Sequence, residues 1–340
     1  MGCYAAKCPI EPENSSEPSE TEEVNAEDKE TEEVNAPTFG GVCQQNHDPL
    51  HWAVSLAQIL DLKKDSRCVI KTIMNVTDEG SSKMRDIVKD IVIPTTAGTG
   101  TGYGLYLNKE APLKAKVMVS HAWDEYYRDF SEAIVDAGVA GPFWVCAFAI
   151  YQPEDLPEVS IVKQLGPDVA RGPFAHVLHH ADSMLAVVTT SCNIYTRMWC
   201  VFEMYVALQR GVPVKMFGFA VPVAGMCGIR SGELINDPIR DATCEAVDTK
   251  SARCGAPNLP QNDDEKAIRQ CIELMPGGYV AIDEAIEKER LRYLQGVLDS
   301  DELQERAKNL SMRPFTEDPR DVYRNAIKNV QERLVLFAQH

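Results

Sequence analysis

The sequence is short of positive charge, paired cysteine motifs and long apolar runs. Against 51 Asp and Glu stand 34 Lys and Arg, a formal net charge of −17. A net negative chain with no basic cluster argues against nucleic-acid binding, which rests on neutralising phosphates. The 11 cysteines (3, 8, 43, 68, 146, 192, 200, 227, 244, 254, 271) are odd in number and scattered, and none form a CxxC pair. That pattern suggests neither a disulfide framework nor a zinc site, and it fits reduced thiols in the cytosol. No apolar run reaches the roughly 20 residues of a membrane span, and no secretory signal is read at the start. A cytoplasmic protein with one large domain or two modest ones is expected from 340 residues, 44% of them apolar.

The acidity is uneven. Residues 1–36 hold eleven acids against Lys7 and Lys29, which is −9 there and leaves −8 for the rest. ETEEVNA occurs at 20–26 and again at 30–36. With almost no large apolar side chains this stretch cannot bury enough surface to fold, so residues 1–45 read as a disordered acidic tail. A tandem repeat this short looks like a duplicated spacer. MGCY offers Gly2 for myristoylation and Cys3 for palmitoylation, although Ala6 stands where the strict pattern wants Ser or Thr. One acyl chain anchors weakly, so contact with the cytosolic membrane face would need Cys3, with Cys8 as a further thiol.

Residues 46–114 read as a helical flank with a connector. Leu50, Ala53, Val54, Ala57 and Leu60 recur at helical spacing, as do Met84, Ile87, Val88 and Ile91, with Pro94 expected to end the second helix. TTAGTGTGYG (95–104) lacks the Lys-Ser/Thr of a phosphate loop and the spacing of GxGxxG, so a flexible connector is expected.

From 116 the character changes. KVMVSHAW reads as a strand, DEYYRDFSEAIVDAG as a helix and PFWVCAFAIYQ (142–152) as a second strand. FAHVLHHADS is a helix, MLAVVTTS (184–191) a third strand, TRMWCVFEMYVALQRG a helix closed by Gly211, and VPVKMFGFAVP a fourth strand. Continuous apolar strands alternating with helices predict an α/β fold whose parallel sheet is covered on both faces. Beyond 225 the chain is loop-rich, with EAVDTKSARC a candidate last strand. Helices are expected again from 263, the last two either packing on the sheet or forming a C-terminal appendage, with 291–340 as C-terminal helices.

One carboxylate, Glu203, sits inside the apolar helix, and burying it unpaired is costly. At 100° per residue Cys200, Val201, Met204, Ala207 and Leu208 form one apolar arc, while Phe202, Tyr205 and Val206 cover the other side. Thr196 is the expected N-cap. Trp199 and Glu203, four apart, fall on one edge, at the rim of the core.

VMVS followed by HAWDE, then FWVCAFAIYQ, then AHVLHHADSMLAVVTTSCNIYTRMWCVFEMYVALQRGVPV together resemble a TIR domain over about residues 115–290. Ser191, Tyr195, Trp199, Cys200 and Glu203 fit the family's frame of a strand running into Ser, a Tyr, a Trp-Cys pair and a Glu three residues on. Glu125, five residues after Ser120, fits the acid that follows the first strand. The extended C-terminal region is more similar to divergent TIR-like proteins of protists and algae than to plant or receptor forms. The loop 151–173 matches no strict family pattern. The resemblance implies a flavodoxin-like doubly wound sheet and catalysis by Glu203 of nicotinamide–ribose cleavage in NAD+, a substrate and not a resident cofactor. It also implies self-association or pairing with other TIR domains. Ser120, His121, Trp123 and Trp199 are the candidate NAD+-contacting residues.

The chemistry stands on its own terms. Ordinary glycoside hydrolysis needs a second carboxyl to protonate the leaving oxygen. Nicotinamide is already a cationic pyridinium while bonded to the ribose and departs neutral without a proton, so one carboxylate facing the developing oxocarbenium charge suffices. Plainer readings stand beside this one. Glu203 could pair with Arg128 or Arg197 in a non-enzymatic adaptor, and His121 could be a surface histidine. His176, His179, His180 and Asp182 could be one exposed helix face, Cys200 an inert core thiol, and Asp124 and Glu125 first-turn charges.

Overall fold

The computed structural model of the protein describes residues 48–63, 82–166, 168–169, 171–189, 192–218, 247–255, 258–298, 328 and 330–335. Its framework is four strands, β1 (Val117–Ser120), β2 (Phe143–Val145), β3 (Ser183–Val188) and β4 (Val214–Gly218), in the order β2-β1-β3-β4. Every neighbouring pair is parallel. Each connection must therefore cross back over the sheet, which brings helices onto its faces.

Alternation along the strands divides the interior in two. Met118, Trp144, Met184 and Ala186 pack with Val201, Met204 and Ala207 of the Met198–Gln209 helix, and with Ile268 and Ile286 from the Asp263–Leu274 and Gly278–Leu298 helices. Val117, Val119, Phe143, Val145, Leu185 and Val187 face the other way, onto Phe130 and Ile134 of the Tyr127–Asp136 helix and onto Met84 and Val92. Burial on both faces is why these strands are unbroken apolar runs, and the α/β reading of 116–217 holds at this level. Among the described residues no helix is long and apolar enough to cross a membrane.

Several local expectations are corrected. The apolar run at 142–152 is strand only for Phe143–Val145 and then turns into the Cys146–Ala149 helix. Pro94 does not end its helix, because Met84–Ile87 leads into a π turn, Val88–Val92, and on to Ile93–Thr96. The π turn sends the Ile93 N–H back five residues to the Val88 carbonyl, and this widening accommodates a ring that would crowd the preceding turn of an ordinary helix. Thr196 is not the N-cap; Arg197 occupies that position, and the Thr196 hydroxyl donates to the Asn193 carbonyl. Residues 247–255 form no strand, although Arg253 bridges Arg197 in parallel. The Met198–Gln209 helix does close at Gly211, whose φ of 69° lets the Val212 N–H reach the Ala207 carbonyl.

The flanks share the cores. Val54 exchanges two backbone hydrogen bonds with Phe143 at the β2 edge, and Leu50 and Trp52 join the Trp144 side of the interior. Two glycines of 95–104 serve close packing: a Cβ on Gly102 would lie 2.0 Å from the Ala149 carbonyl oxygen, and one on Gly104 2.5 Å from that of Trp52. A single helix, Gly278–Leu298, runs across position 290, where a domain division was expected. The acidic tail, the repeats and Gly2, Cys3 and Cys8 lie outside the described residues, as do Ser191 and 219–246.

Candidate functional site

Ser120 is the last residue of β1 and lies in register with Ala186 of β3. Strand alternation puts it on the same face as Met118, under the Met198–Gln209 helix. There its hydroxyl donates to Oε2 of Glu203 at 2.6 Å. The chain moves from β1 to one side of the sheet and from β3 to the other, so the strand order reverses between these two strands. Crevices at such reversals, beyond the carboxyl ends of the strands, are where open parallel sheets bind ligands.

Glu203 is only 5% exposed, deeper than the rim position expected of it. Its carboxyl is pushed up to about 7, because burial penalises the charged form more than the Ser120 hydroxyl and the His121 charge restore it. Neither candidate arginine is its partner: Arg128 takes Asp129 and Arg197 donates to the Cys254 carbonyl. A carboxyl near neutrality and bonded to one hydroxyl is suited to switching between charged and neutral forms at physiological pH.

His121 is not a surface histidine: its side chain and that of Glu125 are both 0% exposed, with Nδ1 3.0 Å from Oε1. Its Nε2 faces the sulfur of Cys146 at 3.4 Å. Burial alone would lower the imidazole, yet Cys146 and Glu125 together raise it to about 10. Burial pushes Glu125 upward, opposed by His121 and by Thr189, which follows β3. Glu125 is thus no first-turn charge of the next helix, which begins at Tyr127, and Asp124 pairs instead with Arg85 and Lys83. Cys200 donates its S–H to the His121 carbonyl at 3.3 Å, and burial raises its thiol well above the ordinary value.

The strand ends therefore gather Ser120, His121, Glu125, Cys146, Cys200 and Glu203. Cys146 has no signal of its own in the sequence, because the apolar run 142–152 is continuous through the strand end that places this cysteine beside β1. The two tryptophans serve packing in this structure. Trp199 stacks on Phe174 at 4.8 Å between centroids, and its indole hydrogen-bonds Asp264. Trp123 packs against the interior on the opposite face of the sheet.

The histidine helix Pro173–His180 is engaged elsewhere: His176 contacts Asp48 at 2.7 Å and Arg210 donates to His179 at 3.0 Å. Among the described residues no group of three or more His, Cys, Asp or Glu side chains has metal-binding geometry. No family model matches the chain, and comparison with curated proteins and with solved structures finds no match.

Proposed function

We propose that the chain is a TIR-type NAD+ glycohydrolase or cyclase on a flavodoxin-like doubly wound sheet, with Glu203 as its catalytic residue. The observation that supports this reading is the Ser120–Glu203 pair at the carboxyl end of β1, where the strand order reverses. In the reaction the C1′–nitrogen bond of the ribose breaks and the electron pair leaves with neutral nicotinamide. Ionised Glu203 faces the oxocarbenium charge and hydrogen-bonds the ribose hydroxyls. Water then adds at C1′ and loses a proton to Glu203, giving ADP-ribose. In cyclisation an adenine nitrogen adds in place of water. Ser120 holds Glu203 in position and favours its charged form, and the His121 charge acts in the same direction.

With Glu203 at 5% exposure, substrate entry requires the strand-end loops to part. Self-association is the proposed trigger, and acylation of Gly2 and Cys3 would concentrate copies at the cytosolic membrane face. The same burial favours a second reading, an adaptor that associates through TIR-domain contacts and performs no chemistry. Purified full chain incubated with NAD+ and assayed for nicotinamide, with assembly followed by light scattering, separates the two. The enzyme should release nicotinamide, and Glu203→Gln should lower the rate about 100-fold or more. An assembled wild type no faster than the variant would leave the adaptor.

A further inference from the structure

We propose that Cys146 is a nucleophilic thiol site, activated by His121 and oriented through Glu125, that reacts with small soft electrophiles. The three side chains form a relay across two strand ends, with Cys146 just after β2, His121 just after β1 and Glu125 four residues on. Nε2 of His121 lies 3.4 Å from the sulfur, and Nδ1 lies 3.0 Å from Oε1 of Glu125. An ionised Glu125 accepts the Nδ1 hydrogen, and the charged imidazole turns its Nε2 hydrogen toward the sulfur at 3.4 Å. This is the arrangement that nucleophilic catalysis requires: nucleophile, base, and a third group that orients the base.

Two features set this thiol apart from a buried structural cysteine. Cys146 is only partly buried, at the edge of the core, whereas the side chains of His121 and Glu125 are shielded from water. Oε2 of Glu125 is buried and meets no well-formed hydrogen bond among the described residues, while the Thr189 side chain helps to hold the carboxylate charged. An unsatisfied buried carboxylate oxygen costs stability, and a carboxylate kept there to hold a base accounts for it. Cys192 and Cys254 are the other partly buried thiols among the described residues. Burial raises Cys192, and burial together with Glu265 raises Cys254 to about 12.

With iodoacetamide as the electrophile, the sulfur reacts as the thiolate of an ion pair with the His121 imidazolium, which keeps its proton, and attacks the methylene carbon. The S–C bond forms as the C–I bond breaks and iodide leaves, with no oxidation. The site does not depend on the role of Glu203, so it stands or falls apart from the NAD+ reading.

The test uses the folded full chain at pH 7, limiting iodoacetamide, and peptide mass spectrometry to follow each cysteine. Cys146 should label at least about tenfold faster than Cys192 and Cys254. His121→Asn and, separately, Glu125→Gln should abolish most of that lead and leave the rates at Cys192 and Cys254 unchanged. Continued protection of buried Cys200 reports that each variant is folded. If either variant exposes Cys200, the other decides, and if both do, the wild-type ratio decides alone. Equal labelling of Cys146 and Cys254 in the wild type would overturn the proposal. So would a lead that survives undiminished in a folded His121→Asn protein.

Discussion

The Ser120 hydroxyl reaches across 83 positions to donate a 2.6 Å hydrogen bond to Glu203, and this bond opposes the cost of burying that carboxylate. It does not offset it fully, since the carboxyl rises from 4.5 to about 7. Between those values the folded protein holds a proton that the unfolded chain has released. Stability therefore falls as pH rises through this window, by about 3 kcal/mol in all. Glu203→Gln keeps an oxygen to accept from Ser120 and removes the ionisation. Urea denaturation at pH 8 should show the variant more stable by up to about 3 kcal/mol, with no difference at pH 4. A loss of stability at pH 8 would make Glu203 a structural prop.

Ser120→Ala removes the bond that favours ionised Glu203, so its carboxyl should move above 7. Under the NAD+ reading the charged form does the work. Nicotinamide release by this variant should rise with pH along a curve displaced to higher pH than wild type, with less displacement of the plateau. His121→Asn, which takes away a nearby positive charge, should displace the curve in the same direction. A lowered plateau with an unmoved midpoint would mean that Ser120 only supports packing.

Much of this architecture could be read in the order of apolar runs. Four runs rich in β-branched residues between helical segments dictate a covered parallel sheet, because only two-sided burial tolerates such strands. Glu203 stood out for the same reason, as one charge in a helix apolar on nearly every side. Its partner did not, since nothing local links a strand-terminal Ser120 to a helix 83 residues later. Cys146 was hidden by continuity: FWVCAFAIYQ has no polar break, yet the chain turns from strand to helix within it. The glycines at 102 and 104 have composition in common with a loose connector, and only tertiary approach reveals them as close backbone contacts.

Gly102→Ala tests that approach. Its added methyl would stand 2.0 Å from the Ala149 carbonyl oxygen and 2.7 Å from the carbonyl carbon, backbone atoms that cannot swing aside. The Cys146–Ala149 helix would have to shift, at a cost of about 3 kcal/mol. Thermal denaturation should report the loss. Gly98→Ala is the contrasting variant, because nothing lies within 4 Å of a Cβ there. Its φ of 74° leaves only backbone strain, about 1 kcal/mol.

Glu265 connects the C-terminal helices to the candidate site. Its side chain is 0% exposed and accepts from Arg253 at 2.9 Å, from Arg269 at 3.0 Å and from the Cys254 N–H at 3.0 Å. Arg253 in turn receives the Met198 N–H on its carbonyl and donates its own N–H to Thr196, so Glu265 fixes the strip that starts the Glu203 helix. Burial raises this carboxyl, but the Cys254 N–H and the two guanidinium groups lower it further, for a net depression. A depressed carboxyl contributes stability above its unfolded value that is lost as pH falls through the folded one, the reverse of Glu203. Stability should accordingly decline through Glu265 as pH falls toward the acid end and through Glu203 as pH rises from 4.5 to about 7. Glu265→Ala should cost about 3 kcal/mol at pH 7, since two partly buried guanidinium groups lose their anion. Denaturation measured from pH 3 to pH 8 should show that cost shrinking toward the acid end, and a cost equal at every pH would mean that the carboxylate charge contributes nothing.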